Sequence, residues 1–176
     1  TANLVDIGAY ESRKVLPAAV AGGPYAGVEG SPVALDATGS SGDAPQSYAW
    51  DCTGDGAIDQ TSATLTGASC LYPDNGSFSV HLLLTDGEGI SATAQSSATI
   101  ANVAPTTTAP GDQAAEAAVA TLFTLGSFTD PGADAPWTVA VNWGDSTAPT
   151  QFTQTSAGPI AAQSHTYAAR GEYVVT

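Results

Sequence analysis

The sequence repeats itself, and this internal repeat constrains the fold more than any other feature. Residues 72–81 read YPDNGSFSVH, and residues 167–176 read YAARGEYVVT. In both segments a glycine follows the tyrosine by four residues, and an aromatic residue follows the glycine by two. The first copy continues through 82–89 as LLLTDGEG, whereas the second stops at Thr176. We therefore expect two copies of one domain, with the counterpart of residues 82–104 supplied by a longer polypeptide or by another segment.

The composition predicts that both copies are built from β-strands. Only 11% of the residues are charged, and 19 Gly and 11 Pro interrupt short runs of Val, Thr, Leu and Ile. In residues 78–85 apolar Phe78, Val80, Leu82 and Leu84 alternate with their neighbours, which places these four on the core face of a strand. Strands are predicted at 33–36, 47–52, 61–65, 78–85 and 90–100 in the first copy, and at 119–125, 138–143 and 173–176 in the second.

The charge balance excludes some classes of partner. The formal net charge is −14, so the basic surface that nucleic-acid binding requires is lacking. The same charge disfavours an anionic membrane surface but is compatible with divalent cations and with an extracellular location. No stretch approaches the ~20 apolar residues of a membrane span. The two cysteines, Cys52 and Cys70, permit one disulfide, as in exported proteins.

Spaced motifs in both copies resemble the PKD (polycystic kidney disease) domain family, whose fold is an immunoglobulin-like β-sandwich. The resemblance covers roughly residues 21–176. It implies an all-β protein of two tandem sandwiches, with an N-terminal segment at 1–20, a first domain at 21–104 and an incomplete second domain at 105–176. The first copy carries GPY (23–25), EG (29–30), LD (35–36), GS (39–40), YAWDC (48–52), GDG (54–56), GSFSV (76–80) and TDGEG (85–89). The second carries FTDPG (128–132), VNWGD (141–145), HTY (165–167) and GEYVV (171–175).

The cysteines stand where the family has other residues. Cys52 takes an aromatic position and Cys70 takes the position of the histidine, and the second copy has Trp143 and His165 there. If the aromatic ring and the histidine touch across the sandwich, two cysteines in their place could form a disulfide. Two buried free thiols are the alternative.

One short turn has the spacing of a calcium-binding loop. Asp51, Thr53, Asp55 and Asp59 place oxygen atoms at alternate positions around Gly56, as a hard cation requires. Position 12 of the loop is a serine, which argues against an EF-hand. We expect no required cofactor, with Ca²⁺ as the ion this turn would bind and an ion-free Asp/Gly turn as the alternative.

No convincing catalytic constellation is present. Ser164, His165 and Asp145 could be drawn as a triad, but neighbouring residues on a strand point to opposite faces, so His165 is interpreted as structural. The aromatic residues Tyr25, Tyr48, Trp137 and Phe152 are candidates for sugar binding, with core or rim packing as the alternative. Asn75 begins an N-glycosylation sequon, which matters only if the source organism glycosylates.

The N-terminal segment is a candidate strand donor. Residues 1–12 weakly resemble the closing segment of bacterial β-helix surface proteins. Apolar Leu4, Val5, Ile7 and Tyr10 could fill the groove of an incomplete sandwich in a neighbouring copy, and repetition of that contact would build a fibre.

The expected function is that of a non-catalytic, extracellular or cell-surface structural or adhesive module. Its expected partners are proteins, including further copies of itself joined head to tail, with carbohydrate as a second class. The alternative is an accessory region of a larger secreted hydrolase that binds protein or carbohydrate.

Overall fold

A computed structural model describes residues 15–44 and 46–176 of the chain. Within these ranges the protein is all-β, and no helix is present that could cross a membrane. The chain divides into two compact units: the first comprises residues up to 27, 31–71 and 77–99, and the second comprises 28–30, 72–76 and 100–176. The predicted boundary after residue 104 stays a prediction. The proposed strand-donor residues Leu4, Val5, Ile7 and Tyr10 lie outside the described ranges.

The first seven strands form two sheets. A five-stranded sheet has the order β1-β7-β6-β3-β4, and a two-stranded sheet pairs β2 with β5. Pairing is antiparallel between β3 and both of its neighbours, and between β2 and β5. The strands are β1 (Tyr25–Val28), β2 (Pro32–Ala34), β3 (Ser47–Asp51), β4 (Gln60–Ser62), β5 (Ser69–Leu71), β6 (Gly76–Thr85) and β7 (Ser91–Ala101).

Alternation along β6 gives the first unit its core. Val80, Leu82 and Leu84 are at most 1% exposed, whereas Leu83 between them is 36% exposed. Trp50 on the neighbouring strand β3 lies directly opposite Leu82 in the antiparallel register and is itself 1% exposed. The predicted inward face of this strand is therefore confirmed, with Phe78 half-buried at its beginning.

The other seven strands have two to five residues each and form three small sheets. These are the three-stranded sheet β13-β10-β8 and the pairs β11-β12 and β14-β9. Their core contains Phe123, Val141, Trp143 and Tyr167. The strands are β8 (Thr106–Thr108), β9 (Thr121–Phe123), β10 (Ser127–Thr129), β11 (Trp137–Val141), β12 (Thr150–Gln154), β13 (Gly158–Pro159) and β14 (Gln163–His165).

The backbone register at the end of the chain is the one that the repeat predicts. In the first copy Asp51 pairs with His81 across β3 and β6. At the equivalent positions of the second copy, Asn142 and Thr176 exchange two backbone hydrogen bonds of 2.7 and 2.9 Å. The two copies therefore share this backbone pairing at equivalent residues.

Three segments show where local sequence patterns do and do not predict the structure. Residues 173–176, predicted as a strand, form none, because their pairing is limited to the Asn142–Thr176 hydrogen bonds. Residues 106–108, for which no strand is predicted, form β8 and pair with β10. The alanine-rich segment 114–120 is a loop with a single turn rather than the helix that alanine propensity alone would favour.

The two faces of β6 provide a matched test of the core. Leu82→Ala removes a side chain that is 1% exposed and should lower the free energy of unfolding by about 2–5 kcal/mol. Leu83→Ala changes the same residue type on the opposite face and should cost far less. Urea unfolding monitored by tryptophan fluorescence measures both, and equal losses for the two variants would contradict this arrangement.

Candidate functional site

A disulfide connects the two sheets of the first unit. Cys52 follows strand β3 and Cys70 lies within β5, and the two are bonded with their Cα atoms 5.8 Å apart. Both residues are buried, and neither is a free thiol. The backbone N–H of Cys52 also donates to the Asp59 carboxylate at 2.7 Å. The predicted pairing is therefore confirmed, and the two-thiol alternative is wrong.

The equivalent position in the second unit holds two stacked rings. Trp143 and His165 lie nearly parallel, with ring centroids 4.4 Å apart and an interplanar angle of 4°. The Tyr167 ring meets His165 edge-on at 4.6 Å, and its hydroxyl donates to the Trp143 carbonyl at 3.1 Å. The aromatic ring and the histidine thus touch, which is the contact on which the prediction of the disulfide depends.

His165 is held in place by Asp145, not by a nucleophile. Its Nε2 lies 2.8 Å from the Asp145 carboxylate. The Thr147 hydroxyl donates to the same carboxylate at 2.6 Å, and this bond, opposed by burial and helped by His165, holds the pKa of Asp145 at about 2. Ser164 precedes His165 on strand β14 and is exposed, opposite Leu122 of strand β9. The geometry supports the structural interpretation of His165.

The predicted calcium turn is held together by its own hydrogen bonds. The Asp51 carboxylate accepts three backbone N–H groups at 2.7–3.1 Å. Asp55 accepts the N–H of Ala57 at 2.8 Å, and Asp59 accepts that of Cys52. The three donors to Asp51 are Thr53, Gly54 and Gly56.

These bonds keep Asp51 ionised inside the protein. Burial opposes ionisation, but the three N–H donors and nearby His81, at 3.7 Å, outweigh it and lower the pKa of Asp51. Asp51, Asp55 and Asp59 do not form a set of carboxylates with ligand atoms within 4.8 Å of one another in the described part of the chain. Calcium binding at this turn stays a prediction, and the hydrogen bonds agree with its ion-free alternative.

The four aromatic candidates for sugar binding have structural contacts. The Tyr25 hydroxyl bonds to the Ala21 carbonyl and to the N–H of Asp36. Trp137 meets Phe128 edge-on at 5.1 Å. Tyr48 is buried, and Phe152 packs against the core of the second unit.

Sequence reasoning missed a cluster of carboxylates in the second unit. Glu29, Asp130 and Asp134 each place an oxygen within 4.8 Å of the others, and these three form the one group of its kind among the described residues. Glu29 and Asp130 were recognised only as parts of repeat motifs. Glu29 and Asp130 are 101 positions apart in the sequence, so no local sequence pattern contains both.

Comparison with known proteins identifies one family and several solved structures. A family model described as PKD domain matches residues 14–101. No curated protein matches the sequence. Nine chains among the solved structures match. One of these comes from work on the "promiscuous specificity" of carbohydrate-binding modules of the β-sandwich superfamily; it is 28% identical, with a TM-score of 0.43, over 49% of this chain. The match spans 35% of that protein's length.

Removal of the disulfide should destabilise the first unit. The double variant Cys52→Ala/Cys70→Ala should lose about 3 kcal/mol of unfolding free energy, because the bond closes a loop with a sequence separation of 18 residues. Urea unfolding measures this loss. Thiol titration of denatured, unreduced protein should find no reactive cysteine, and two reactive thiols would refute the bond.

Loss of the Asp145 carboxylate should change the response to acid. Since its pKa falls from 3.8 to about 2 on folding, its contribution to stability is present above about pH 4 and disappears between about pH 4 and pH 2. Asp145→Asn should therefore be less stable at pH 7 and lose less stability across that window. Unfolding measured from pH 2 to 7 tests this. Exposed Asp112→Asn is the control, and an unchanged acid transition in Asp145→Asn would contradict the assignment.

Proposed function

Because this chain belongs to the PKD domain family, we propose that it is a non-catalytic module of an extracellular or cell-surface protein. Its role is structural or adhesive: it spaces or links the partners to which it is joined. The family match over residues 14–101 carries this proposal. The disulfide and the net charge of −14 also fit an oxidising, extracellular environment.

The use of reactive side chains supports the same function. Both cysteines are bonded to each other, and both histidines pair with aspartates, His81 with Asp51 and His165 with Asp145. The cysteine and histidine side chains that a cysteine or serine hydrolase would use are thus committed to holding loops and sheets together. A screen with peptide, ester and glycoside substrates should find no turnover, and an activity lost in a folded His165→Ala variant would overturn the proposal.

The structure fits a protein partner better than a carbohydrate partner. Sugar-binding faces commonly present exposed aromatic rings, whereas Tyr25, Tyr48, Trp137 and Phe152 are all buried or half-buried here. Affinity electrophoresis in polysaccharide gels should therefore show no retardation. Retardation that disappears in a folded Trp137→Ala variant would favour the accessory, carbohydrate-binding alternative.

A finer version of the proposal is head-to-tail assembly by strand donation. Strand β3 pairs on both sides in the first unit, whereas β11 has β12 as its one strand partner among the described residues. The second edge of β11 is therefore the acceptor in this hypothesis, and residues 1–12 supply the donor.

Deletion of residues 1–12 tests strand donation. Sedimentation velocity should show concentration-dependent assembly for the full chain and monomers for the truncated one. Assembly of the truncated chain would contradict donation by this segment. A native polypeptide whose mass shows that it continues past residue 176 and completes the sheet would contradict it as well.

A further inference from the structure

A carboxylate of the second unit is buried with one oxygen left unpartnered. Glu29 lies in the turn between β1 and β2 and is 1% exposed. Its Oε1 accepts the backbone N–H of Val103 at 2.7 Å, which fixes the direction of the side chain. Its Oε2 is buried and has no hydrogen-bond partner. Burial of a carboxylate oxygen without a hydrogen-bond donor costs folding free energy, and a positively charged partner would offset that cost.

Two further carboxylates lie close to the Glu29 carboxylate. Asp134 also has a buried oxygen, Oδ2, without a partner, and Asp130 completes the group with ligand atoms within 4.8 Å of one another. Among the described residues, the ion pairs are His81–Asp51 and His165–Asp145, and neither reaches this group.

The surrounding backbone shapes a space for these oxygens. Asp130 is oriented by the N–H of Gly132 at 2.9 Å and by the indole N–H of Trp137 at 3.2 Å. A Cβ atom on Gly132 would lie 2.5–2.6 Å from all three atoms of the Glu29 carboxylate group. Glycine is therefore required at this position for the carboxylate to lie where it does.

From this geometry we propose that Glu29, Asp130 and Asp134 bind a calcium ion. All ligands are hard oxygen atoms, as Ca²⁺ prefers, and oxygens on opposite sides of Ca²⁺ lie up to about 5 Å apart. Two of the three carboxylates offer an oxygen that has no other partner, and each Asp130 oxygen keeps a second lone pair. Calcium joins the turn after β1 to the loop after β10 and offsets two of the three negative charges of the cluster. The ion site is distinct from the Asp51–Asp59 turn.

Calorimetry on the full chain, freed of metal with EDTA, tests the proposal directly. Calcium chloride alone should bind once per chain, with a dissociation constant of about 10⁻⁴–10⁻³ M as in extracellular modules. Calcium at 10 mM should raise the melting temperature by roughly 3–10 °C. The absence of binding up to 10 mM calcium, or equal affinity for magnesium, would overturn the proposal.

Matched variants locate the ion. Glu29→Gln, Asp134→Asn and Gly132→Ala should each weaken calcium binding at least tenfold, the last by filling the space beside Glu29. Exposed Glu116→Gln and Gly111→Ala, which has open space around it, are the controls and should bind as the wild type does.

The variant Asp55→Asn tests the alternative site, the Asp51–Asp59 turn that the sequence predicts. It should leave calcium binding unchanged. Loss of binding in Asp55→Asn with retention in Glu29→Gln would assign the ion to that turn and overturn the proposal. In EDTA, folded Glu29→Gln should melt no lower than the wild type, because the amide removes a buried charge. If Glu29→Gln does not fold, Asp134→Asn and Gly132→Ala decide, and wild-type affinity in both would contradict the assignment.

Discussion

The contact between the end of the third strand and the facing two-stranded sheet is the constraint on which the first unit depends. There a sulfur–sulfur bond joins Cys52 to Cys70, and the second unit has the stacked Trp143 and His165 at the same positions. A disulfide is held by its own covalent bond. The ring pair depends on neighbouring side chains, because His165 is oriented by the Asp145 carboxylate and by the edge of the Tyr167 ring. One structural role is thus filled once covalently and once by packing and hydrogen bonds.

Acidic side chains in this protein serve mainly to shape turns. Asp51 ends strand β3 and Asp145 follows strand β11; both accept hydrogen bonds from nearby N–H or O–H groups and remain ionised because of them. This use explains how a chain with a net charge of −14 and only three Lys and Arg residues can bury carboxylates. Glu29 and Asp134 are different, since each keeps a buried oxygen that no donor reaches. Asp86 also keeps a buried oxygen without a partner, but it belongs to no cluster of three carboxylates among the described residues. The candidate ion site is therefore marked by the cluster together with its unpartnered oxygens.

The sequence predicts what repeats or alternates, and it misses what depends on distant residues. Repeat alignment anticipates the disulfide, and alternation anticipates the inward face of β6. Strand β8 is Thr106–Thr108, three exposed polar residues without alternation, so only its partner β10 makes it a strand. The acidic cluster joins residues about a hundred positions apart, and no local pattern contains both. The spacing of Asp51 to Asp59 matches a calcium-binding loop, but the spacing does not show which oxygens are already hydrogen-bonded. Backbone N–H groups donate to the Asp51 oxygens that an ion would bind.

The disulfide also sets how far the first unit can extend under mechanical tension. Because Cys52 and Cys70 are bonded, the segment between them stays closed when the rest of the unit is pulled apart. A fully extended chain of that length would otherwise add about 60 Å of contour. The Trp143–His165 stack offers no covalent limit, so the second unit releases all of its residues once its rings separate. Two domains with the same fold would thus respond differently to the same force. The first would have a shorter maximum extension, and reduction of its disulfide would lengthen it.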